Sequence, residues 1–69
     1  MQFTLECELE EDGRWLAEVN DLPGALAYGS TAAEAAAKAQ ALALRVLAER
    51  LEHGEVRAID ISFSVPAGV

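Results

Sequence analysis

Leu22-Pro23-Gly24-Ala25-Leu26-Ala27-Tyr28-Gly29-Ser30-Thr31 decides how this chain folds. Pro23 fixes its own φ and lacks a donor, while Gly24 accepts positive φ, so Leu-Pro-Gly predicts a turn. Ala25 to Tyr28 is short and apolar enough for a strand. Gly29 then frees the backbone. Thr31, with Glu34 three residues later, matches the capping box of a helix start. Within this stretch the chain turns, extends and becomes helical.

Upstream, Phe3, Leu5, Cys7 and Leu9 alternate with Gln2, Thr4, Glu6, Glu8 and Glu10. Period two predicts a strand with one apolar and one acidic face. Asp12-Gly13 is a hairpin signal. Arg14 to Val19 returns as a second strand, with Trp15, Ala17 and Val19 on one face and Leu16 and Glu18 on the other.

Downstream, Ala32 to about Glu52 is made of Ala, Leu, Glu, Lys, Gln and Arg, all strong helix formers. Gly54 after His53 suits the residue just past a helix end. At about 100° per residue, Glu34, Lys38, Arg45, Glu49 and Glu52 fall in one narrow sector. Nearly all the remaining circumference is apolar. One edge is Ala35, Ala39, Leu42 and Val46; the other is Ala37, Ala41, Leu44, Ala48 and Leu51; Ala36, Ala43 and Leu47 lie between. A helix on a sheet needs an apolar stripe of a little over about 100°, so this one has more than a small sheet covers. The Leu44 and Leu51 side, with Leu47 and Ala48, is expected to pack against another chain, giving a homo-oligomer, a dimer or tetramer. The competing reading is that the alanines serve helix propensity alone.

Ile59, Ile61, Phe63 and Val65 alternate with Asp60, Ser62 and Ser64, predicting a fourth strand stopped by Pro66-Ala67-Gly68. The expected fold is α+β, in the order β-β-β-α-β, a small sheet with one helix on one face. Sixty-nine residues allow one domain, over residues 1–69, with marginal stability of its own.

Twelve acids against five bases give a formal net charge of −7. Binding to nucleic acid or an anionic membrane needs a Lys/Arg patch, so neither is expected; a basic partner, or solubility alone, fits. A single cysteine forms no internal disulfide. With no leader-like N-terminus and no apolar run of membrane-spanning length, a cytoplasmic protein is expected.

Gly24-x-x-x-x-Gly29-Ser30-Thr31 nearly spells a phosphate-binding loop, but Ser30 stands where the lysine belongs. His53 and Cys7 are the only residues of their types and far apart, so no metal, cofactor or catalytic set is expected. That leaves Glu6, Glu8 and Glu10, one strand face of carboxylates with Glu18 on the neighbouring strand. Such a face docks a basic protein, or is simply the solvated side of an antiparallel sheet.

Taken in order, the alternating acids of the opening strand, Glu11-Asp12-Gly13-Arg14-Trp15, Leu22-Pro23-Gly24, Gly29 and Thr31-Ala32-Ala33-Glu34-Ala35 resemble the N-terminal domain of the HicB family of antitoxins. The resemblance spans essentially the whole chain. It implies a partial ribonuclease H fold without catalytic carboxylates. It also implies a partner, a small basic messenger-RNA endonuclease toxin of the HicA type, bound and blocked by occlusion. Pro23, Gly24, Gly29, Thr31 and Glu34 are its structural motif. Many members add a C-terminal DNA-binding domain, which is not expected within residues 1–69. The alternative is a stand-alone homo-oligomeric domain that binds another protein or a small ligand.

Overall fold

A computed structural model of the chain describes residues 1–58 and 60–69. Four strands and one helix follow in the order β1 (Gln2–Leu9), β2 (Trp15–Val19), β3 (Leu26–Gly29), α1 (Ala32–Glu52) and β4 (Ser62–Ser64). The fold is α+β, and the sheet order is β3-β2-β1-β4. β1 pairs antiparallel with β2 and parallel with β4, and β2 pairs antiparallel with β3.

The turns form where the punctuating residues stand. At the β1–β2 hairpin the Gly13 N–H donates to the Glu10 carbonyl at 3.0 Å, with Gly13 at φ 89°. Between β2 and β3 the Ala25 N–H donates to the Leu22 carbonyl at 3.0 Å, with Gly24 at φ 86°. Proline second and glycine third is the arrangement a type II turn demands. Leu22 and Ala25 are buried, so this turn is also part of the core.

Helix α1 is bounded by its caps. The Thr31 hydroxyl accepts from the Glu34 N–H at 3.0 Å. Glu34 reaches back one residue further than a capping box requires, accepting from the Ser30 N–H at 3.4 Å and the Ser30 hydroxyl at 3.1 Å. At the far end Glu55 N–H donates to Arg50 O at 2.9 Å and Gly54 N–H to Leu51 O at 3.2 Å, with Gly54 at φ 71°. This is a Schellman motif, which satisfies carbonyls the helix leaves open.

The odd-numbered residues of β1 and β2 face the helix. Phe3, Leu5, Ala17 and Val19 meet Ala35, Ala36, Ala39, Ala43 and Leu47, with Leu22 and Ala25 closing one end. Alanines on the helix let it lie close to the sheet, and Gly29 makes the approach possible. A Cβ there would stand 2.7 Å from the Ala35 backbone nitrogen. Gly29 therefore serves proximity, not the conformational freedom expected of it.

Three further expectations are corrected. Leu47, grouped with the oligomer-forming edge, is 2% exposed and belongs to the core, because it lies one turn below Ala43 on the sheet-facing line. The third strand is Leu26–Gly29, one residue later than expected, because Ala25 closes the turn. The last strand is only Ser62–Ser64, paired in parallel with Gln2 to Thr4 of β1 and followed two residues later by Pro66, which cannot donate to the ladder. Ile59, expected at its start, lies outside the described residues.

Candidate functional site

The even-numbered residues of β1 and β2 point away from the helix and make an open sheet face. The register sets Glu6 directly opposite Glu18, and Glu18 opposite Leu26. The next row is Glu8, Leu16 and Tyr28. Leu26 and Tyr28 are 42% and 41% exposed, and Leu16 is half-buried. The face is an apolar strip on β2 and β3, bordered along β1 by carboxylates and interrupted by Glu18.

The structure thus brings Glu6, Glu8 and Glu18 together. Glu10 stands apart, just past the end of β1, where its N–H donates to the Arg14 carbonyl at 2.8 Å. It borders a shallow depression at the hairpin end, lined by Glu8, Glu10, Asp12, Arg14 and Tyr28 among others.

Like charges directly opposite each other on neighbouring strands are destabilising, and Glu6 and Glu18 are such a pair. Among the described residues neither these two nor Glu8 has an ion-pair partner. Arg14 pairs with Asp12 and covers Tyr28 of this same face. Its Nε lies 2.7 Å from an Asp12 carboxylate oxygen, and its guanidinium stacks 4.2 Å from the Tyr28 ring centre. The hydrogen bonds from Arg14, backbone first and side chain second, hold the Asp12 carboxyl below its usual range.

At the β4 end the face is polar and neutral. Gln2 bridges both serines of β4: Ser62 Oγ donates to Gln2 Oε1 at 2.6 Å, and Gln2 Nε2 donates to Ser64 Oγ. The carboxylates are thereby confined to one half of the sheet.

The near-match to a phosphate loop ends in a different use of the same geometry. The Ser30 N–H and hydroxyl point at the Glu34 carboxylate, so the helix N-terminus carries its own anion. Lys38, 3.1 Å from Glu34, is the leading cause that lowers the Glu34 pKa, followed by the Ser30 hydrogen bonds. Among the described residues no three His, Cys, Asp or Glu side chains gather as metal ligands. Cys7 faces the helix side of the sheet, where burial pushes its thiol pKa up, and His53 caps the helix C-terminus. Among the described residues no helix is long and apolar enough to cross a membrane.

The helix residues expected at an oligomer contact divide. Leu44, Ala48 and Leu51 lie exposed along one flank, whereas Leu47 is in the core. Sequence reasoning named the carboxylates of the open face and missed its apolar centre. The signal was there: Leu26 and Tyr28 alternate with Ala25 and Ala27 as Leu16 alternates with Trp15 and Ala17.

No family model, curated protein or solved structure matches the chain. The likeness to HicB antitoxins rests on the residue pattern alone.

Proposed function

We propose that this chain is a non-catalytic, cytoplasmic binding protein of the HicB antitoxin type, which neutralises a small basic HicA-type endonuclease by covering it. The observation that carries the reading is the open face, where among the described residues Glu6, Glu8 and Glu18 have no ion-pair partner and lie beside exposed Leu26 and Tyr28. An apolar centre with charges at its border is how protein-recognition surfaces are arranged. Setting Glu6 against Glu18 costs the free chain stability, and a lysine or arginine placed between them returns it. Complementary charge also speeds the encounter with a basic partner.

In this reading the partner supplies the cations, and Leu16, Leu26 and Tyr28 supply the apolar contact. The chain itself does no chemistry. The test is co-expression with a HicA-type toxin encoded beside it. A co-purifying complex and restored growth are expected; no complex and no rescue would overturn the proposal. The second reading, a homo-oligomeric domain binding some other protein or ligand, is favoured by one observation only, the exposed apolar flank of α1.

A further inference from the structure

The two edges of the sheet differ. β4 stops short of Pro66, and both its serines are tied to Gln2. α1 packs over β2 and β3 and does not reach β4, which leaves that half of the sheet bare. β3 forms the other edge, lies against the helix and has no strand on its outer side.

The register shows what that outer side offers. The Val19 N–H donates to the Ala25 carbonyl at 2.9 Å, and Ala17 and Trp15 stand opposite Ala27 and Gly29. Hydrogen-bonding direction alternates along an antiparallel strand. Ala27 and Gly29 therefore turn their backbone groups toward β2, and Leu26 and Tyr28 turn theirs away from the sheet. Two N–H and two C=O groups in strand geometry are a template for one more strand.

The surroundings of this template are cationic, on a chain of net charge −7. Three of the five Lys and Arg gather here: Arg14, Lys38 and Arg45. On the helix side a groove of about 300 Å³ is lined by Ala27, Ala41 and Leu42 together with Lys38 and Arg45. On the open side the Arg14 guanidinium covers Tyr28. Arg14 pairs with Asp12 and Lys38 with Glu34, whereas Arg45 has no ion-pair partner among the described residues.

We infer that the β3 edge takes up an extended peptide segment of another protein, one that carries two carboxylates four residues apart. Such a segment bonds to Leu26 and Tyr28 as an added strand, a common way for extended peptides to join a sheet edge. Cross-strand neighbours share a face, so the peptide residue opposite Ala27 points into the groove and is apolar. The residues two positions either way point to the same side. Ala35 abuts Gly29, so Lys38 follows at that end of β3 and Arg45 comes two turns later. Those seven helical residues rise about 10.5 Å, and four extended residues span about 13 Å. Carboxylates at the two outer positions thus match Lys38 and Arg45. The residues between them lie beside Leu26 and Tyr28 and are apolar.

Charge selects this occupant over others. A basic segment meets repulsion at Arg45. A second copy of β3, Leu26–Gly29, brings no carboxylate. Nucleic acid needs a longer row of cations and has no strand to offer the edge. The site goes beyond the proposed docking of a basic protein, since it takes the opposite charge at the opposite side of β2.

Amide-resolved NMR of the whole chain at low salt tests this, with an end-capped peptide containing Glu-Val-Ala-Val-Glu as the probe. Shifts at Leu26, Tyr28 and Arg45 are expected, with slower hydrogen exchange of the Leu26 and Tyr28 amides. The same peptide with Lys for both Glu should bind roughly tenfold more weakly, as should the Glu peptide to Arg45→Glu. Arg45 is exposed, so that variant should keep its fold. A fully N-methylated peptide, with no N–H to give, should not bind. No shift at Leu26 and Tyr28 in millimolar peptide, equal affinity for the Lys peptide, or indifference to Arg45→Glu or to N-methylation would each overturn the inference. Shifts at Lys38 and Arg45 without slower exchange at Leu26 and Tyr28 would mean an anion site with no added strand, and would overturn it too. None of these arms alters Glu6, Glu8 or Glu18, so failure here leaves the docking of a basic partner standing.

Discussion

The two faces of this sheet are built on different principles. On the helix side the odd-numbered residues of β1 and β2 are apolar, and six of the eleven core residues among those described are alanines. Small side chains bring helix and sheet close but bury little area each. On the other side Glu6 and Glu18 oppose each other with no ion-pair partner among the described residues, and Leu26 and Tyr28 stay partly exposed. The first face is shaped for proximity and has little to spare. The second gives up some stability, which docking of the proposed partner would return.

Mutations can sharpen or break this contrast. The largest effect is expected on the helix-facing side at Leu47, where truncation to Ala should cost about 2–5 kcal/mol. Leu44→Ala, one turn earlier but on the exposed flank, should cost well under that in dilute solution; urea unfolding of both variants compares them. If the two losses are equal, the division of the helix into buried line and free flank is wrong.

Next comes Gly29→Ala. Its new methyl would press on the Ala35 backbone, so overpacking of about 1–3 kcal/mol is expected. The same denaturation experiment reads it, and a neutral result would show that α1 can lift from β3 freely.

The helix start gives a pH-dependent effect. Glu34, and likewise Asp12, is held below its ordinary pKa in the folded chain. The stabilisation is therefore present above the ordinary carboxylate value and is lost as pH falls through the lowered one. Glu34→Gln should lower stability at neutral pH, and the gap from wild type should close in acid. A gap that widens in acid would mean the Ser30 and Lys38 contacts do not hold in solution.

The smallest effect has the opposite sign. Glu6→Gln removes one member of an opposed like-charge pair, and a gain of about 0.2–1 kcal/mol is expected. A loss would show that the open face is not electrostatically frustrated.

How much of this the sequence disclosed depends on the range of the interaction. Helix bounds, caps and turns follow from residues within five of one another: Thr31, Gly54 and Pro23-Gly24 do what their spacing suggests, and Glu34 caps one residue further back, at Ser30. Glu6, Glu8 and Glu18 could be placed on one face because period two is strict. The errors lie where two elements meet. Leu47 sits between the two apolar edges, and periodicity does not say where the sheet cuts the helix. Gly29 looked like punctuation because the nearness of Ala35 is a tertiary fact. The bare half of the sheet depends on β4 joining beside β1, away from the helix, and strand order is not written in any one segment.

The central claim is that the open face binds a basic protein. Calorimetric titration of the chain with a small basic HicA-type protein tests this most directly, comparing wild type, the Glu6→Gln/Glu18→Gln double variant and Leu44→Arg. The account predicts a complex that the double variant weakens roughly tenfold or more, with a shallower salt dependence, and that Leu44→Arg leaves unchanged. Equal affinity of wild type and double variant would contradict it.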